Sequence, residues 1–306
     1  MRLRNYAYIC AYKTWKVFQQ IDKTYKLMRC RLPYYLIIVL VLTSCTSLRY
    51  AGVNRIRDYR IESPDVPEAF DGYRIAFASD FHLESRFKEK QLLGTTKALQ
   101  ALGPDVLLLG GDYQEGCEYV EPIIAALGSI STPDGIYAVL GNNDYERCTD
   151  IIRAAMKKHG IMLLEDSTAI LRQREDSIAI WGANAYNGFY PTTQKKKESP
   201  VIEGIIDSSA FTILLTHTPD YVEDAEITGV DLALAGHTHG GQITLFGLYA
   251  PVTASKYGTR FRTGLRYNSQ GIPVIVSGGL GTSRYPIRFC APTDVIIVTL
   301  KREVKR

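Results

Sequence analysis

No Cys-x-x-Cys pair occurs in the 306 residues, which argues against a thiolate zinc cluster. Long apolar runs are missing as well. The run Tyr34–Leu42 (YYLIIVLVL) falls well short of the roughly 20 apolar residues a membrane-spanning helix needs. Histidine is scarce, with five in all. There is no internal repeat and no sign of a second domain. Excess positive charge is absent where a polyanion would meet it. The chain is +4 overall, but residues 1–33 hold eight Lys/Arg against Asp22 alone, which leaves 28 bases and 31 acids in the remainder. A mildly acidic body gives no electrostatic reason to expect nucleic acid as a partner. What is present, 46% hydrophobic and 22% charged residues, suffices to bury a core.

The basic leader has an internal order. Arg29 and Arg31 precede the Tyr34–Leu42 run, and Leu-Thr-Ser-Cys follows at Leu42–Cys45. The run has the length of a signal-peptide core, and the tetrapeptide resembles a bacterial lipobox, whose cysteine becomes a lipidated N-terminus. Counted from Met28, the segment has the form of a lipoprotein signal, so Met28 is the expected start and Cys45 the expected lipidation site. An uncleaved N-terminal anchor is the alternative. Either places the body outside the cytoplasm, in a bacterial cell envelope, with the membrane as a partner through an acyl anchor. Beyond a lipidated Cys45, three cysteines remain (Cys117, Cys148 and Cys290), so at most one bridge is expected, with free thiols the alternative.

Along the chain, residues 1–45 read as leader, 46–72 as a polar lead-in, and 73–306 as a single folded domain. Short apolar runs alternate with helix-like segments: strands at Arg74–Ser79, Asp105–Leu109 and Ile136–Leu140, helices at Lys88–Leu102, near Tyr119–Ile130 and near Asp150–His159. This alternation predicts a parallel sheet with helical faces. From Ile161 strands dominate: Ile161–Leu164, Thr168–Arg172, Ile178–Trp181, Phe211–Leu215, Asp231–Leu234, Gln242–Phe246, Pro273–Val276 and Val295–Leu300. A second sheet packed on the first, with helices outside, is the expected fold class: α/β, two mixed sheets. Tyr186–Pro200 interrupts the pattern and reads as a surface loop.

Polar residues collect at the ends of the apolar runs. They are Ser79-Asp80-Phe81-His82, Gly110-Gly111-Asp112, Gly141-Asn142-Asn143-Asp144, Thr216-His217, and Gly236-His237-Thr238-His239-Gly240-Gly241. A parallel sheet brings such ends to one edge, where α/β folds bind ligands. Four of the five histidines lie in this set; His159 sits at a Lys-rich helix end and reads as solvated. Carboxylates, an amide oxygen and imidazoles are ligands for borderline or hard divalent cations. Seven donors exceed what one ion needs, and two ions sharing a bridge suit the number.

In order and spacing, these motifs resemble the calcineurin-like metallophosphoesterases, whose pattern is DxH, GD, GNH[D/E], a lone His, then GHxH. The resemblance runs from about Tyr73 to Leu300. LAGHTHGGQ (Leu234–Gln242) and GGLGTSRYPIRF (Gly278–Phe289) are similar to a branch of small bacterial phosphodiesterases, some membrane-associated, which includes relatives acting on UDP-diacylglucosamine. The resemblance implies an α/β/β/α sandwich. It implies Asp80, His82 and His239 on one metal, Asn142, His217 and His237 on a second, and Asp112 bridging. The ions would be Mn, Fe, Zn or Ni, and the substrate a phosphorylated small molecule or lipid.

One position departs from the pattern. Where the family has a histidine that protonates or hydrogen-bonds the reacting phosphoryl group, this chain has Asn143, followed by Asp144. An asparagine donates a hydrogen bond but transfers no proton, and general acid catalysis is typically worth about 10²–10⁴-fold. The expected enzyme therefore favours good leaving groups, as in phosphoanhydrides and activated diesters, with Asp144 as an alternative proton source. Two other readings are a UDP-2,3-diacylglucosamine-type pyrophosphatase, whose cytosolic substrate conflicts with export, and an inactive metal-bound binding module. Arg284 and Arg288 are candidates for a substrate phosphate, Tyr113 and Tyr145 for the pocket lining, and Lys195–Lys197 for a solvated loop run.

Overall fold

The structure, a computed structural model, describes residues 53, 55–184, 210–225 and 227–303. Met28, Cys45, Tyr186–Pro200 and Lys195–Lys197 lie outside them. Among the described residues no helix is long and apolar enough to cross a membrane.

Among the described residues, twelve strands form two six-stranded sheets. The first holds β1 (Arg55–Ser63), β2 (Arg74–Ala78), β3 (Val106–Leu109), β4 (Ile136–Ala138), β5 (Met162–Leu163) and β12 (Asp294–Arg302), in the order β1-β12-β2-β3-β4-β5. The second holds β6 (Ser167–Gln173), β7 (Asp176–Ala183), β8 (Thr212–Thr216), β9 (Leu232–Ala235), β10 (Gly264–Tyr267) and β11 (Pro273–Val276), in the order β10-β11-β9-β8-β7-β6. Strands β2 to β5 run parallel, as do β7, β8, β9 and β11, while β12, β6 and β10 each add an antiparallel pairing. Both sheets are mixed, as expected.

The central strands read as unbroken apolar runs because both of their faces are covered. In β2, Ile75 and Phe77 point to the core between the sheets, and Ala76 and Ala78 to the helical side. In β3, Val106 and Leu108 face inward and Leu107 and Leu109 outward. Ile213, Leu215 and Leu234 meet them from the second sheet. Helix α1 (Glu89–Leu102) covers the first sheet with Leu92 and Leu99, α2 (Val120–Gly128) with Ile123 and Ile124, and α4 (Thr149–Lys158) with Ile152 and Met156. Spacings of four and seven place Ile152 with Met156 and Leu92 with Leu99 on one face, and Ile123 and Ile124 complete a stripe with Val120 and Leu127. Gly103, at φ 55°, ends α1 in the left-handed conformation glycine tolerates best. Helix α5 (Pro219–Asp224) covers the second sheet with Val222 beside Trp181 and Phe261. The layers are α/β/β/α.

Two sequence expectations need correction. The lead-in at 46–72 supplies β1, which pairs in parallel with β12 along its whole length; only Ile61 of its nine residues is buried, so no apolar run announced it. Gln242–Phe246 is not a strand. Gly240, Gly241, Gln242 and Phe246 have positive φ, which breaks the pleat, and only isolated bridges remain at Ile243 and Leu245. Cys117 and Cys148 are bridged.

Candidate metal centre

Five strands deliver the motifs from their carboxyl ends: β2 leads to Asp80 and His82, β3 to Asp112, β4 to Asn142, β8 to His217, and β9 to His237 and His239. Asn142 begins α3 (Asn142–Arg147), so its helix starts at the site. Glycine is required at two of these turns. A Cβ on Gly141 would collide with the Asp112 carboxylate, and one on Gly236 with Ser79 Oγ and the Asp80 carboxylate. The backbone is bent to suit. Asp80, His82, Asp112, His237 and His239 all adopt positive φ between 43° and 68°. That region is sparsely used by non-glycine residues, and such conformations cluster at functional sites.

The side chains fall into two overlapping groups. Asp80, His82, Asp112 and His239 form one; Asp112, His217 and His237 form the other, and within each the donor atoms lie within 4.8 Å of one another. Asp112 Oδ2 lies 3.2 Å from His82 Nε2 and 3.4 Å from His217 Nε2. His239 Nε2 lies 3.6 Å from Asp80 Oδ1, and His217 Nε2 lies 3.1 Å from His237 Nδ1. All six residues are buried.

A surrounding set of polar groups holds the rings. His82 Nδ1 is 2.6 Å from Glu115 Oε1, and His217 Nδ1 is 2.7 Å from the Gly110 carbonyl, which turns each Nε2 towards Asp112. Ser79 Oγ donates to Asp80 Oδ2 at 2.6 Å, and the His237 amide donates to the same carboxylate at 2.9 Å. Burial works against a proton on His82 and His217, but the Asp112 carboxylate outweighs it and pushes them up to about 10 and about 9. Burial and the His217 charge push His237 down to about 3, leaving a neutral imidazole.

Such a donor set fits divalent cations. Asn142 Oδ1 supports the fit: it is buried without a hydrogen-bond partner. An amide oxygen left in that state is costly unless something else meets it.

Asp144 is held by three backbone donors. Its Oδ2 accepts the backbone N–H of Asp112 at 2.7 Å and of Gly141 at 2.8 Å, and its Oδ1 accepts that of Tyr113 at 3.1 Å. Burial and the Asp112 charge raise its pKa to about 7, against the pull of these three donors. The three bonds make Asp144 a positioning residue for the Asp112 and Gly141 turns, and Oδ1, with one donor, keeps a lone pair that can carry a proton. Asn143 donates its backbone N–H to Asp112 Oδ1 at 2.9 Å, and its side-chain amide donates to the Gln114 carbonyl.

Arg288 differs from expectation too. Its guanidinium donates to the carbonyls of Gly281 at 2.6 Å, Gly278 at 2.8 Å and His239 at 3.2 Å, so it braces the turn around His239 rather than presenting a free fork to phosphate. Arg284 is exposed. Tyr113 is a core residue whose hydroxyl donates to the Val139 carbonyl at 2.8 Å, and the Tyr145 hydroxyl turns to Glu165. His159 lies beyond the C-terminus of α4, beside Glu121 and far in sequence from the cluster. Glu115 went unnoticed in the sequence; an acid in a loop three residues past Asp112 carries no pattern of its own.

A buried cluster of carboxylates and imidazoles, gathered at the strand ends of an α/β/β/α sandwich, defines a metal-binding hydrolase class. Residues 73–241 match the family model described as calcineurin-like phosphoesterase. The chain belongs to that family. It is 28% identical over 252 residues to the uncharacterised metallophosphoesterase YkuE of Bacillus subtilis, covering 80% of this chain and 84% of that one. It is 32% identical over 230 residues to YpbG of the same organism, covering 74% and 80%. Among solved structures, the calcineurin-like phosphoesterase YfkN of Bacillus subtilis aligns at TM-score 0.46 and 15% identity, over 69% of this chain and 82% of that chain.

Proposed function

We propose that the chain is a two-metal phosphoesterase that cleaves a phosphodiester or phosphoanhydride by attack of an activated water, without a side-chain general acid. The observation that carries this reading is the sharing of Asp112. It belongs to both ligand groups, and one of its oxygens faces His82 and His217 together. In this reading Asp80, His82 and His239 would hold one ion and Asn142, His217 and His237 the other, with Asp112 available to both. Two bound cations supply an activated water and neutralise charge developing in an in-line displacement at phosphorus.

The chain's own residues do the rest. Glu115 and the Gly110 carbonyl fix the His82 and His217 rings, and Asp144 holds the amides of Asp112 and Gly141 in place. The Asn143 amide has two N–H groups; one meets the Gln114 carbonyl and the second can donate to a phosphoryl oxygen. It cannot supply a proton, so the leaving group must depart as a stable anion. A phosphate or phenolate suits that requirement and an alkoxide does not. The substrate class proposed is a phosphorylated small molecule or lipid. The place proposed is the cell envelope outside the cytoplasm, supported by the Arg29–Cys45 sequence.

The test is hydrolysis of bis-p-nitrophenyl phosphate and p-nitrophenyl phosphate by the full chain loaded with Mn²⁺, with Asp112→Asn as control. Metal-dependent diester cleavage, lost in the control, supports the reading. No turnover of either substrate with metal demonstrably bound would sink it and favour a binding role.

A further inference from the structure

Leaving the metal cluster, the chain runs from His239 through two glycines into a loop of unusual composition. Ile243, Leu245, Phe246, Leu248, Tyr249 and Val252 are all exposed, Leu248 at 82%. Tyr285 and Ile287 are exposed on the neighbouring segment, which is joined to this loop by a bridge between Ile243 and Phe289 and by the Gln242 amide donating to the Ser283 carbonyl at 2.9 Å. Eight of the thirteen large exposed apolar side chains among the described residues fall in these two short pieces. Scattered apolar residues on a surface are ordinary, but a contiguous patch marks an interaction site.

Several of the loop's backbone groups are paired. The Leu245 amide donates to the Tyr249 carbonyl at 2.7 Å, the Gly247 amide to Thr244 Oγ1 at 3.1 Å, and Arg262 to the Gly247 carbonyl at 2.6 Å. A turn with much of its backbone paired and its apolar side chains outward suits entry into an apolar medium.

Charge indicates which medium. From Leu232 to Thr293 there is no aspartate or glutamate, although the body as a whole has more acids than bases. The same stretch carries Lys256, Arg260, Arg262, Arg266, Arg284 and Arg288. Lys256 and Arg260 pair with Asp224 and Glu223 of α5, but Arg284 is exposed and has no ion-pair partner among the described residues. The same holds for Arg86, whose charge acts on Arg288 and whose neighbour Ser85 accepts the Thr282 amide. Apolar tips beside unpaired guanidinium groups, with tyrosines between, match the boundary of an anionic bilayer.

We propose that the Ile243–Val252 loop, with Tyr285 and Ile287, is a docking element that inserts into the surface of an anionic phospholipid bilayer. The loop begins four residues after His239, so docking sets the metal cluster close to the headgroups. This contact is separate from any acyl anchor at Cys45, and it stands whether or not the centre turns over substrate.

The experiment places a reporter in the loop, so that attachment through the N-terminus cannot imitate it. Leu248→Trp is made in the full chain with Trp15→Phe, which leaves only the buried Trp181 as background. The protein is mixed with vesicles of phosphatidylcholine, with and without phosphatidylglycerol, some carrying brominated acyl chains. Insertion predicts a blue-shifted emission quenched by the bromolipids, stronger with phosphatidylglycerol. Phe246→Asp should weaken it about tenfold, the scale of burying one large apolar side chain. Vesicle-bound protein whose loop emission is neither shifted nor quenched would overturn the proposal. So would a blue shift without vesicles that disappears on dilution, which would assign the patch to a second copy of the chain. Both substitutions sit on an exposed turn, and unchanged far-ultraviolet circular dichroism establishes that the variants fold.

Discussion

Asn143 is tied to Asp112 by its backbone and not by its side chain: the Asn143 N–H donates to Asp112 Oδ1 at 2.9 Å, while its amide group turns to the Gln114 carbonyl. The residue that departs from the family pattern therefore supports the shared carboxylate in a way any side chain would preserve. Asn143→His should keep the cluster and add a proton donor. The expected outcome is a gain of about 10–100-fold in kcat/KM for alkyl phosphodiesters, with little change for p-nitrophenyl esters. A series of leaving groups of graded pKa measures this. Equal rates across the series in the unmodified chain would refute the assigned role of Asn143.

Asp112 and Asn142 should differ in what they cost. Asp112 joins both ligand groups, so Asp112→Asn is expected to lower bound Mn²⁺ from about two ions per chain towards none, with activity down at least about 10³-fold. Asn142→Ala removes a ligand from one side alone and should leave about one ion per chain. Elemental analysis after gel filtration reads both. Equal losses in the two variants would remove Asp112 from its bridging place.

Metal binding should grow tighter as pH rises. Without metal, the Asp112 carboxylate overcomes burial and keeps His82 protonated up to about 10 and His217 up to about 9. A ligating imidazole must be neutral, so at pH 7 loading displaces about two protons per chain. Because the protons sit on the free form, affinity rises with pH until it passes these values. Calorimetry in buffers of different ionisation enthalpy counts the protons, and a count near zero would contradict the charge assigned to the two rings.

Most of the site was legible in the sequence because its ligands are short side chains placed just past buried strands. The β2, β3, β8 and β9 runs are apolar on both faces, so their ends, and the residues beyond them, can be located by eye. What escaped notice lacks that signature. The β1 edge strand buries little and looks like a linker, although its register with β12 is continuous. The loop after His239 is apolar for a surface, so it mimics a strand. Glu115 acts through His82, and a residue that works by holding another leaves no spacing to detect; Arg288 was visible in the sequence, but its bond to the His239 carbonyl was not.

Asp294 links the two sheets through a buried charge. Asp294, at the start of β12, is fully buried. Its Oδ1 accepts from Ser277 Oγ at 2.9 Å and the Gly278 amide at 2.8 Å, just beyond β11, and its Oδ2 lies 2.8 Å from Arg57 Nε on β1. Arg57→Ala would leave that carboxylate without its cation, a loss of roughly 3–5 kcal/mol for a buried pair. Burial raises the Asp294 pKa even with Arg57 present. The folded state thus holds its proton to higher pH than the unfolded chain, and the stability linked to that proton is lost as pH rises through the folded value. Removing Arg57 raises the pKa further, so the variant should be penalised more at pH 8 than at pH 5.5. Urea unfolding at both values, with the slope m unchanged, measures this. A penalty that shrinks as pH rises would mean that Arg57 contributes packing and not charge.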